Sequence, residues 1–105
     1  MFPDGFEKIK EKSAEVAAVA ARKVNLLKDI ARTKSSRAAV DTQMRELQIE
    51  LAEMCYKDCM QNGTVDRNQY QTLCERIHKA KRKIEKLDQL TERLKAQLLE
   101  REAEE

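Results

Sequence analysis

Tryptophan is missing from this chain, proline occurs once, glycine twice, and aromatic residues fill only 4% of the 105 positions. So few breakers and large anchors argue against a compact enzyme; 38% charged beside 41% hydrophobic residues suit long amphipathic helices. No run approaches the ~20 apolar residues that a bilayer crossing needs, so an integral membrane protein is not expected. Gly5 and Gly63 stand alone, which leaves no glycine-rich phosphate loop. Neither sign of charge dominates. With 21 Lys and Arg against 19 Asp and Glu, the net +2 is too balanced to imply nucleic acid or anionic lipid by itself. Three cysteines, an odd number, without a leader suit a reducing cytoplasm better than a disulfide framework. Ala14 to Ala21 faintly resembles a leader, but it is short and Glu15 interrupts it, so it is read as mature helix.

What is present is organised around Gln61-Asn62-Gly63-Thr64-Val65-Asp66-Arg67. Asn62 and Gly63 suit the left-handed backbone that closes a helix, and Asp66 with Gln69 makes a capping box for the next one. The chain reverses there. On either side, apolar residues recur on a seven-residue period: Ile9, Val16, Val19, Leu26, Ile30, Val40, Met44, Leu47, Leu51 and Met54 before the turn, and Tyr70, Leu73, Ile77, Ala80, Ile84, Leu87, Leu94 and Leu98 after it. Lys12, Lys23, Thr33 and Arg37 fall on the same seam. The expected fold is all-α, a single long antiparallel helical hairpin of coiled-coil type. Helix one spans about 6–61, the turn 62–66 and helix two about 67–101. Met1 to Gly5 is expected to be an irregular lead-in with Asp4 as a cap, and Glu102 to Glu105 to fray. Arg32 to Arg37 is the weak point of helix one. A break near Thr33 to Ser36 would give a third helix; continuity is the simpler reading and gives a rod of ~84 Å.

Counting back from the turn sets Met54 against Leu73, Leu51 against Ile77, Leu47 against Ala80, Met44 against Ile84, Val40 against Leu87, Arg37 against Thr91 and Ile30 against Leu98. Apolar meets apolar throughout, and the polar intrusion meets another polar residue. Helix two then ends opposite Leu26 or Leu27, so the start of helix one projects ~30 Å beyond it. The candidate interface is the face of that overhang: Phe6, Ile9, Val16, Val19, Ala20, Val24 and Leu27. Residues 1–37 hold nine Lys or Arg against five Asp or Glu, and residues 38–66 two against six; a solvated helix surface is the ordinary reading of this asymmetry, and orienting an antiparallel dimer is the functional one. A homodimer or a helical protein partner is therefore expected, with surface-lying membrane or nucleic-acid binding through the basic end as the alternative.

Cys55, Cys59, Cys74 and His78 read as C-x3-C followed by C-x3-H, which looks like a metal site or the paired-cysteine hairpins of mitochondrial import chaperones. The register opposes both. Cys59 lies level with Gln69, nine residues or ~13 Å from His78, whereas zinc donors must converge to ~2.3 Å from one ion. Cys55 and Cys74 do face each other across the seam; their separation would permit a disulfide under oxidation, but two small partly buried hydrophobes are the preferred reading. Cys59 and Tyr56 point outward. His78 lacks a Ser, Cys or carboxylate set around it, and the scattered acids look like helix surface, so neither catalysis nor a cofactor is expected. Lys79, Lys81, Arg82, Lys83 and Lys86 form the densest basic run, with Glu75, Glu85 and Asp88 within a turn to offset it.

Leu47 to Val65, with Leu51, Met54-Cys55-Tyr56 and Gln61-Asn62-Gly63, resembles small uncharacterised proteins of Firmicutes-type bacteria. Those proteins have a Lys- and Ala-rich leading helix, a short Asn-Gly turn and a returning helix, and the likeness covers most of residues 6–98. Many of them continue into a zinc ribbon with paired Cys-x-x-Cys. No such motif occurs here, so the resemblance implies a bacterial cytoplasmic helical hairpin and supplies no activity. The expected function is a non-catalytic interaction or scaffold module; the alternative is a redox- or metal-responsive cysteine protein.

Overall fold

The computed structural model describes residues 3–61 and 66–103, with side chains from Lys10 onward. Two helices make up the fold, α1 (Pro3–Gln61) and α2 (Arg67–Ala103), packed against each other as a hairpin. The expected turn residues 62–65, the side chains of Phe6 and Ile9 and the last two glutamates lie outside the described residues. The molecule measures 93 × 17 × 16 Å, and its radius of gyration is 24.8 Å. A compact chain of this length would have about 13 Å. It is a rod, and no helix among the described residues is long and apolar enough to cross a membrane.

α1 runs unbroken through the polar stretch Arg32 to Arg37, so the break that would have given a third helix does not occur among the described residues. Thr33 explains part of this. Its hydroxyl donates to the Asp29 carbonyl at 2.7 Å, so a buried polar side chain is satisfied inside its own helix rather than competing with it. The lead-in departs from expectation: Pro3, Asp4 and Gly5 are helical. Proline's fixed φ and missing N–H suit the first helical position, and Asp4 therefore stands within the helix instead of capping it. At the other end α2 continues through Glu102 and Ala103. Asp66 caps α2 as the sequence suggests. Its carboxylate accepts from the Asn68 amide at 3.0 Å, and its carbonyl takes the first helical bond from Tyr70 at 3.0 Å.

Burial alternates three and four residues apart on both helices, the mark of a supercoiled seam. Val40, Ala80 and Ile84 form its centre, with Met44 and Leu87 packed against them. Met54 with Leu73, and Leu47 with Ala80, line successive stretches of the same flank, which places the antiparallel register where the apolar pattern set it. At the level of Arg37 and Thr91 the polar groups find other partners: the Arg37 guanidinium reaches Asp88, donating from Nε at 2.6 Å, and the Thr91 hydroxyl bonds to the Leu87 carbonyl at 3.0 Å. A long side chain can leave its own level for a charge about a turn away, and a buried threonine finds its acceptor one turn back. Thr33 and Thr91 thus enter the seam without unsatisfied hydroxyls. No described side chain is wholly buried, because each helix covers the other on one side only.

Candidate interaction surface

Three regions of the rod bear on function. The first is the overhang. α2 ends at Ala103, near the level of Leu26, and α1 carries the seam pattern on toward its start, past the described end of α2. Leu26 and Ile30, where α2 is present, are buried; Val16 and Ala20 are exposed, Val24 and Leu27 largely so, and Val19 is half-buried. Lys12, Ser13, Val16, Ala17 and Ala20 line a shallow groove there. The contrast between Leu26 and Val16 comes from packing, since both occupy positions of the same apolar repeat.

The second region is the cysteine-bearing end near the turn. Cys55 and Cys59 are exposed thiols, Cys74 is half-buried, and none is in a disulfide. His78 is exposed. Among the described residues, no three or more His, Cys, Asp or Glu side chains come together as metal donors. Tyr70 lies beside Cys74, one turn further along α2, and near Cys55 across the seam. Cys74, through its charge and hydrogen bonding, and then Cys55 push the Tyr70 phenol above its ordinary value. The heptad places Cys55 and Cys74 on one flank, and Tyr70 marks that they share a neighbourhood.

The third region is electrostatic. On one flank Glu46 and Glu50 of α1 share a groove with Arg76, Lys79 and Lys83 of α2, so Lys79 and Lys83 of the basic run sit beside acid from the other helix. On the opposite flank Arg37 lies between two carboxylates. Hydrogen bonding to Asp88, then the charges of Asp88 and Asp41, hold the guanidinium above its ordinary value despite slight desolvation. Asp41 in turn forms an ion pair with Arg45 at 3.2 Å, four residues along the same helix. Of these partly exposed pairs only Arg37–Asp88 joins the two helices, and such pairs contribute little to stability.

The outer face of α1 escaped the seven-residue reading. Ile49, Tyr56 and Met60 point to solvent at the turn end, although only Tyr56 was expected to do so. Their signal is a helical period of 3.6 rather than 3.5, invisible to a frame built for the seam. Comparison of the chain with family models, curated proteins and solved structures finds no match to any of them.

Proposed function

We propose that this chain is a non-catalytic helical interaction module, working by self-association or by docking a partner helix along the overhang of α1. The observation that carries this reading is the continuation of the seam pattern past the end of α2, where Val16 is 68% exposed. An apolar stripe of that length, repeating the geometry of an interface already formed further along the helix, is most simply completed by another helix. The incomplete burial of the seam points the same way. Light scattering across a wide concentration range tests it. A mass above the monomer at micromolar concentration is expected; a monomer throughout, with no helical partner recovered, removes the self-associating form.

A second reading is favoured by the grouping of Tyr70, Cys74 and Cys55. In it the two cysteines act as a redox pair, losing two electrons and two protons to a small disulfide oxidant and closing a staple across the seam. Thiol titration after exposure to oxidised glutathione separates the readings. Three free thiols after treatment would remove the redox one.

A further inference from the structure

α1 carries a second apolar face that α2 never covers. Among the described residues, its exposed large apolar side chains are Val16, Val24, Leu27, Ile49, Tyr56 and Met60, each 48–68% exposed. They are spread along most of the helix, yet at ~100° per residue all six fall within an arc of about 80°. The seam follows a shorter period. A line drawn at 3.6 residues per turn drifts ~20° per heptad relative to it, so α2 winds around α1 while the outer face keeps one direction. Val16 stands at a seam position where α2 has ended, and Tyr56 stands on the side away from α2. A face of constant direction suits a straight helix lying alongside.

We infer that this face binds a second copy of the chain, with the two first helices antiparallel and the twofold axis passing near Ala38. This rests on the interaction-module reading and adds to it the partner, the face and the direction. In that arrangement Val16 meets Met60 of the other copy, Ala20 meets Tyr56, and Leu27 meets Ile49, so a larger side chain repeatedly lies over an equal or smaller one. Charge on α1, the helix that makes the contact, selects the direction. Residues 10–34 hold seven Lys or Arg against three Asp or Glu, and residues 41–61 hold two against five. Antiparallel copies set the basic half on the acidic half twice; parallel copies would set like on like. The same operation covers both ends at once, because each overhang lies on the other copy's turn end and the contact closes on itself. It extends from residue 16 to residue 60, ~66 Å along the helix.

Disulfide trapping tests the arrangement in a chain whose three cysteines are changed to serine. With Ala38→Cys, mild oxidation should join two copies covalently. Ala20→Cys alone should stay unlinked, while a mixture of the Ala20→Cys and Tyr56→Cys chains should give the crossed dimer. In the chain with its own cysteines, Ile49→Glu should weaken association about tenfold or more while leaving helicity unchanged, since Ile49 takes no part in the seam. If the protein self-associates but Ala38→Cys fails to link, or Ala20→Cys links to itself, this face and direction are wrong and the module reading stands. If the unmodified protein is monomeric at every concentration, the inference and self-association fall together.

Discussion

Polar residues in the seam show how little the period demands of any one side chain. Thr33 and Thr91 are buried, and each hydroxyl is bonded to a carbonyl of its own helix. Replacing Thr33 by valine removes donor and desolvation cost together while keeping the shape, so urea unfolding should find stability unchanged or raised by up to ~1 kcal/mol. A loss of that size would mean that the hydroxyl itself holds the seam. Tyr70 gives a pH signature. Its phenol is raised above its ordinary ~10 by Cys74 first and Cys55 second. A folded-state value above the unfolded one means that the folded protein holds this proton more tightly. Its contribution is therefore full below pH ~10 and lost as pH rises through the folded value. Tyrosinate absorbance should show the Tyr70 phase above that of a model phenol, and Cys74→Ser should bring it back down; an unmoved phase would place the cause elsewhere.

At the scale of the element, the heptad made both helices and their facing sides legible, and counting back from the short turn made the register legible. Val40, Ala80 and Ile84 are the outcome. Ile84→Ala should cost about 2 kcal/mol in chemical denaturation, at the low end for a core truncation because solvent reaches the seam from both flanks, while Leu99→Ala, 65% exposed in the single chain, should cost less than ~0.5 kcal/mol. Equal losses would mean that packing is not where the seam pattern places it. Other features were less legible, each for a physical reason. Pro3 was read as a breaker although proline suits the first helical turn. The reach of Arg37 to Asp88 depends on side-chain length rather than on level. The outer face of α1 was hidden because it follows a different period from the seam, and a residue such as Tyr56 cannot declare which of two periods it serves until burial is known.

For the whole molecule, the consequential property is the lengthwise separation of charge along α1, which acts through a contact between two first helices, because the basic residues of α2 offset the acidic half elsewhere on the rod. If the basic and acidic halves of two copies face each other, association should weaken as salt rises and the Debye length falls from ~10 Å at 0.1 M to ~3 Å at 1 M. Light scattering at both ionic strengths should show the average mass moving toward the monomer. A mass that grows with salt would instead mark association governed by apolar contact alone.

The 93 Å length has a mechanical meaning as well. Two wound helices resist bending more than one, so a hairpin of this kind behaves as a strut over its paired stretch. Whatever is fastened near Lys10 is thereby held far from whatever is fastened near Gln61, and a pull applied between those two points loads the shaft lengthwise instead of peeling the strands apart.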